Sequence, residues 1–305
     1  MLQRLKEVEL LHVIMIVIMF LWASVSVVSR YLVSNELITP LSLGFYRYLF
    51  ATSFIVGYFV IGKSHTITFR KEHVIEGIIL FFFIVCFGYG IKNTTATSGI
   101  LIYFTTAPLA MNFIAKVYYR ERFHLFHFAA IVMGALGLIL VTLGHVDLSV
   151  KTMFGNMLLF LTGIFWAIYS VYTSHHMKHG MSITSSMISF LVAVTLIVPF
   201  EVAFGGMQRF VLNPPSMFWV LFLSLMPTAF GYLYWSRLIH RLGPSETSLY
   251  QLLIPIFGSL MAWLVLGEEF SVAVVFGGMV VLVALYLNHL GTKRLQQIYG
   301  ETPKP

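Results

Sequence analysis

Residues 20–27 read Phe-Leu-Trp-Ala-Ser-Val-Ser-Val, and residues 164–171 read Ile-Phe-Trp-Ala-Ile-Tyr-Ser-Val. At a shift of 144 residues, Trp22, Ala23, Ser26 and Val27 fall on Trp166, Ala167, Ser170 and Val171. At a shift of 143, Phe87-Gly88-Tyr89 falls on Phe230-Gly231-Tyr232. At a shift of 147, Pro108, Glu121, Phe123, Leu143 and Gly144 fall on Pro255, Glu268, Phe270, Leu290 and Gly291, the drift reflecting an insertion within 237–245. Each match alone could be chance, but their common order along the chain points to an internal repeat.

Both copies lie in strongly apolar sequence. Of 305 residues, 58% are hydrophobic and only 10% charged, against about 25% charged in a soluble domain. Such a chain cannot cover its core with hydrated surface. Its apolar blocks are also long enough to cross a bilayer, which takes ~20 residues. Spans are predicted at 10–33, 40–62, 74–92, 97–118, 124–144, 152–174, 183–205, 216–236, 246–266 and 271–290. Linkers as short as 93–96 and 267–270 make the helices they join antiparallel neighbours. Each half holds five spans, an odd number, so the second enters the membrane inverted. The expected fold is an all-α integral membrane protein with ten transmembrane helices around a central cavity. Its two inverted five-helix repeats cover 8–145 and 152–291, and a cytoplasmic tail covers 292–305.

The basic residues set the orientation. With the N-terminus inside, Arg4, Lys6, Lys63, Arg70, Lys71, Lys116, Arg120, Arg122, Lys178, Arg237, Arg241, Lys293, Arg294 and Lys304 are cytoplasmic. Only Arg30, Lys92, Lys151 and Arg209 fall outside. This is the bias of a protein whose two termini are both cytoplasmic. The net charge of +7 is spread in twos and threes, facing anionic lipid, and does not form a nucleic-acid patch. After Arg4 and Lys6 the apolar stretch runs to about Val33 without a small-residue cleavage site, which predicts a retained helix. The single cysteine, Cys86, lies in an apolar run and reads as a buried hydrophobe.

Inverted repeats let a central site open alternately to either side, because each half can adopt the conformation of the other. A solute transporter needs that symmetry, whereas an enzyme or receptor does not. The two halves also resemble the paired EamA domains of the drug/metabolite transporter superfamily, over nearly the whole chain. The resemblance rests on Phe20-Leu21-Trp22-Ala23, on Phe45-Tyr46-Arg47-Tyr48-Leu49-Phe50-Ala51 and on Gly163-Ile164-Phe165-Trp166-Ala167-Ile168-Tyr169. It rests also on the prolines of the fourth and ninth spans, each followed thirteen residues later by Glu121 or Glu268. The first half departs from the pattern with Arg120-Glu121-Arg122 where the second has Gly267-Glu268. Within the superfamily the chain looks most like bacterial exporters of amino acids, aromatic ones included, and related metabolites. The resemblance implies a basket in which the first four helices of each half line the cavity and the fifth and tenth lie outside. It implies a multi-pass protein of the bacterial inner membrane that takes a small-molecule solute and stands as a monomer or weak homo-oligomer.

Arg47 is the one charge well inside a span, roughly 6 Å from the midplane at 1.5 Å per residue. An unpaired charge there costs at least ~2.5 kcal/mol. Two readings are open: it attracts a solute carboxylate, or it braces helix carbonyls. Pro108 and Pro255 are predicted hinges beside the cavity, since a proline frees carbonyls that only protein or water can satisfy. Pro227 lacks a counterpart and reads as a static bend. Trp22, Tyr46, Tyr89, Tyr103, Trp166, Tyr169 and Tyr232 are candidates for an aromatic solute box, from which Trp235 and Tyr250 are less favoured. Asn112 and Gln251 are candidate hydrogen-bonding groups. Glu121 and Glu268 read as caps of the fifth and tenth helices. His175, His176 and His179, like His124 and His127, read as members of solvated cytoplasmic loops; no metal site and no cofactor is expected.

None of the twelve acidic residues, and none of the eleven histidines, is placed near the middle of a predicted span. Proton-driven carriers rely on such groups, so facilitated diffusion or exchange is expected. There is no G-x-x-x-x-G-K-[ST] loop for ATP. Two other readings remain open: a carrier of a larger amphipathic solute such as a nucleoside, vitamin or lipid-linked sugar, and an intramembrane enzyme using the cytoplasmic-side histidines.

Overall fold

The computed structural model describes residues 2–61, 69–118, 124–143, 149–176, 182–204, 214–242, 247, 250–251, 253–268 and 272–299. These residues are helical almost throughout, with no strand among them. In lipid a backbone has no water to bond, so long apolar runs must satisfy their N–H and C=O groups within the helix. The helices are α1 (Leu2–Ser34), α2 (Pro40–Ile61), α3 (Lys71–Lys92), α4 (Ala96–Tyr118), α5 (Leu125–Leu143), α6 (Val150–His176) and α7 (Ser182–Phe204). They continue with α8 (Pro214–Leu223), which runs through a π-helical stretch, Ser224–Phe230, into α9 (Gly231–Leu242). Then come α10 (Leu253–Met261), extended by π-helical Ala262–Leu266, and α11 (Val272–Tyr299).

Among the described residues five stretches are long and apolar enough to cross a membrane: Val13–Ser34, Lys71–Lys92, Ala96–Ala115, Val150–His176 and Ser216–Ile239. Shorter apolar helices cover Leu125–Gly137, Thr184–Phe200, Leu253–Leu266 and Val275–Ala284. The outer surface carries Phe20, Phe54, Phe82, Phe128, Phe218, Leu264 and Phe276 exposed. Apolar surface on that scale is unusual for a soluble monomer and suits lipid contact.

Helices pack mainly on partners from the opposite half of the chain. α1 lies on α10 and, reciprocally, α6 on α4; α3 lies on α6 and α7, while α9 lies on α1 and the π-helical stretch on α2. α2 meets α7, and α5 meets α11. Exchanging the two halves leaves this set of pairings unchanged. Small residues permit the closest approaches: a Cβ on Gly155 of α6 would stand 3.1 Å from the Gly90 carbonyl of α3.

Three elements refine the expectation. Residues 247 and 250 are helical and Gln251 lies in a turn, while α10 starts at Leu253, so Pro255 occupies a first turn, where its missing N–H breaks no helical bond. α11 continues to Tyr299, so residues 292–299 are helical and continuous with the last helix. Pro227, read as a plain bend, sits inside the π-helical stretch, a distortion frequent at functional sites.

Candidate functional site

Trp22 of α1 and Trp166 of α6 meet edge to face with ring centroids 5.2 Å apart at 87°. Tyr232 of α9 stands edge-on to Trp166 at 5.4 Å, and Trp235 lies tilted against Trp22 at 5.0 Å. Tyr169 stacks on Trp166 at 5.7 Å. Phe83 of α3 joins Trp166 to Tyr103 of α4, at 5.7 and 5.8 Å. A small cavity in this box is lined by Trp22, Arg47, Phe83, Phe87, Tyr103, Trp166 and Tyr232, among others. A second cavity on the far side of Arg47 is lined by Ser29, Gly44, Tyr48, Ile84 and Gly88 with it. Each encloses about 20 Å³, room for a water but not for an organic solute.

Arg47 is buried, at 6% exposure. Its Nε donates to the Thr228 hydroxyl of the π-helical stretch, and its guanidinium carbon lies 5.4 Å from the Tyr48 ring centre. Trp22 Nε1 donates to the Pro227 carbonyl at 2.9 Å. Pro227 thus presents the backbone acceptor that orients the first tryptophan. Gly231 lets the indole approach: a Cβ there would stand 2.6 Å from Trp22 Nε1. Trp166 Nε1, Trp235 Nε1 and the hydroxyls of the repeat-matched Ser26 and Ser170 are buried without a hydrogen-bond partner among the described residues. So are both amide atoms of Gln251, which is fully buried just before α10.

The remaining expected residues lie elsewhere. Tyr46 packs on Phe45 and Phe50 of its own helix. Tyr89, the repeat partner of Tyr232, is half-buried and does not line either cavity. Asn112 donates its Nδ2 to the Pro108 carbonyl at 2.9 Å, so the amide braces the proline-bearing helix α4. Pro108 is buried within that helix. Sequence reasoning passed over Tyr48, whose hydroxyl pairs with that of Tyr232, and the Ser26/Ser170 pair. For the two serines, equivalence in the repeat is the available signal.

At the bundle end carrying Lys92 and Lys151, Glu268 accepts from Ala96 N at 2.8 Å and from Thr97 N and Oγ1 at 2.9 and 2.7 Å. It therefore caps α4 of the opposite half; the residues just before the helix it was expected to cap, 269–271, lie outside the described residues. Gly267 takes φ of 65° to make that turn. Arg30 donates to the Ile91 and Lys92 carbonyls at the end of α3. Arg30, Lys92, Lys151 and Glu36 surround an open vestibule of about 290 Å³ here. Glu121 and His179 lie outside the described residues. His127, expected in a solvated loop, is 2% exposed and accepts from His124 N at 3.0 Å; Gly291 of α11 packs on its ring. His175 meets Tyr118 edge to face and His176 lies tilted against Tyr172, and no metal-holding group of His, Cys, Asp and Glu occurs among the described residues.

Long apolar helices, an apolar outer face and a buried arginine–aromatic site between two halves define a multi-pass membrane protein of the transporter class. The sequence matches the profile of the EamA-like transporter family over residues 10–143 and again over 153–290, and the chain belongs to that family. It is 23% identical over 287 residues to an uncharacterized transporter of Archaeoglobus fulgidus, covering 91% of this chain and 96% of that one. It is 27% identical to the uncharacterized transporter YyaM of Bacillus subtilis, over 74% of this chain and 75% of that one. With an Escherichia coli protein named as a probable amino-acid metabolite efflux pump it shares 25% identity, over 57% of this chain and 61% of the pump. A crystallographically determined chain superposes with a TM-score of 0.68 over 94% of this chain and 99% of its own, at 15% identity, a likeness of fold alone.

Proposed function

We propose that this chain is an alternating-access carrier of the bacterial plasma membrane, exporting amino acids, aromatic ones among them, or related small metabolites. Ten spans form two inverted repeats, 8–145 and 152–291, with both termini cytoplasmic. The observation that carries the reading is the convergence of the repeat-matched Trp22 and Trp166 on a cavity bordered by Arg47. Arg47, with no carboxylate partner among the described residues, receives the solute carboxylate bidentately. The indole and phenol faces hold its side chain. Ser26, Ser170 and Gln251 supply hydrogen bonds to its remaining polar groups. The double match to the family profile and the efflux-pump name of a relative support this reading.

Cavities of about 20 Å³ require the halves to part before a solute enters. Because helices pair across the halves, rocking one half on the other opens one end as it closes the other. Transport proceeds by facilitated diffusion or by exchange of one bound species for another. Counterflow of labelled L-phenylalanine and other amino acids into proteoliposomes tests the carrier. Saturable counterflow in the wild type, lost in Arg47→Ala, is the expected result; no counterflow with any amino acid would end the amino-acid reading.

A further inference from the structure

Glu76 lies in α3, five residues beyond Lys71 and hence ~7.5 Å along the helix from its start. Its side chain is 2% exposed. It accepts a hydrogen bond from the Ser185 hydroxyl of α7, with Thr173 of α6 beside it, and among the described residues no Lys or Arg reaches it. Gly77 beside it lets α7 press close, since a Cβ there would meet Val192 at 2.5 Å. A carboxylate without a cation is expensive in such a place, whereas the neutral acid packs there readily. A structural role does not require an ionisable group here: glutamine has the same shape and hydrogen-bonding reach.

The groups around it lead inward. On α6, Thr173 and Tyr169 are its electrostatic neighbours, both buried. The Tyr169 ring stacks on Trp166, at the wall of the solute box, and lies 5.9 Å from the Tyr232 ring. The other titratable or charged groups facing this region can be placed element by element. On α3 itself these are Glu72, His73, Arg70 and Lys71. α6 adds Tyr172, His175 and His176, and α4 adds Tyr118 next to Tyr172. α2 contributes Tyr48 and Arg47. α7 presents only the hydroxyls of Ser185 and Ser189 among its described residues.

We infer that Glu76 is a proton-binding site that exchanges its proton against the solute, through Ser185, Thr173 and Tyr169 to the aromatic box. This rests on the carrier reading above. In one cycle the carboxylate takes a proton on the side where it meets water, carries it neutral through the closed state, and gives it up on the other side. The solute crosses in the opposite direction.

The test uses the full chain in proteoliposomes with labelled L-phenylalanine, as wild type and as Glu76→Gln, which keeps the shape and mimics the neutral acid. With equal pH on both sides, counterflow should be alike in the two. With the lumen ~1 pH unit more acidic and the membrane potential held at zero by equal potassium and valinomycin, the wild type should accumulate solute up to about tenfold, the limit for one-for-one exchange. E76Q should not accumulate it, and nigericin should abolish the accumulation. Equal accumulation by both proteins, or counterflow without accumulation in the wild type, would overturn the proposal. If no amino acid gives counterflow, the amino-acid reading fails separately, and infrared difference spectra of the purified protein between ~pH 6 and ~pH 9 decide Glu76, because exposed carboxylates are already charged there. A protonated-carboxyl band missing from E76Q supports the site, and no such band in the wild type refutes it.

Discussion

The hydroxyl oxygens of Tyr48 in α2 and Tyr232 in α9 stand 2.7 Å apart, a buried hydrogen bond that joins the two halves behind the aromatic box. Either phenol can donate, and each gives the other its partner. Tyr232→Phe strands the Tyr48 hydroxyl and should cost ~1–3 kcal/mol. Removing both hydroxyls should cost less than the two single changes added together. Thermal unfolding of the four proteins in detergent measures the cycle; strict additivity would contradict the pairing.

The two tryptophans differ in their N–H groups. Trp22 donates to the Pro227 carbonyl, while Trp166 has no acceptor among the described residues. Replacing Trp22 by Phe should therefore lower stability by ~1 kcal/mol or more. The same change at Trp166 should leave stability nearer the wild type and weaken solute binding instead. Unfolding curves beside counterflow KM values separate the effects, and a reversed order would refute the assignment.

Glycine substitutions should split by sign. At Gly231 a methyl group meets the Trp22 indole, so Gly231→Ala should destabilise by ~1–3 kcal/mol and depress transport. At Gly57 in α2 a Cβ meets nothing within 4 Å, so Gly57→Ala should stabilise by roughly 0.5–1 kcal/mol. Both are read by melting temperature in the same detergent.

Glu268 closes one end of the bundle by capping α4 across the halves. Glu268→Ala removes three hydrogen bonds and should cost ~1–2 kcal/mol; Glu268→Gln should fall between. Hydrogen exchange at the amides of Ala96 and Thr97 should quicken in both, and unchanged exchange would rule out the cap.

Much of this architecture is legible in the residue order, because lipid leaves a helix no alternative and the repeat marks equivalent positions. Trp22 and Trp166 were named from that repeat and meet in space. What the residues do not reveal is which face of an all-apolar helix looks inward. Lipid and protein core are equally apolar, so hydropathy does not separate them. Tyr89 matches Tyr232 in the repeat yet lines neither cavity, and Tyr48 was overlooked beside Arg47. Glu76 falls two residues into the predicted span 74–92, near a helix end; the approach of α7 over Gly77 turns that end into interior. The partner of Glu268 was equally hidden, because the helix it caps comes from the other half.

The cross-half pairing of helices also fixes an order of events during synthesis. α3 and α4 leave the ribosome before α6 and α7 exist, so Glu76 must wait in the bilayer without Ser185, and Arg47 without Thr228. The first five helices are an unfinished product until the second five arrive to seal them. A stalled or truncated chain would therefore show quality-control proteases an open, polar seam that the finished protein conceals.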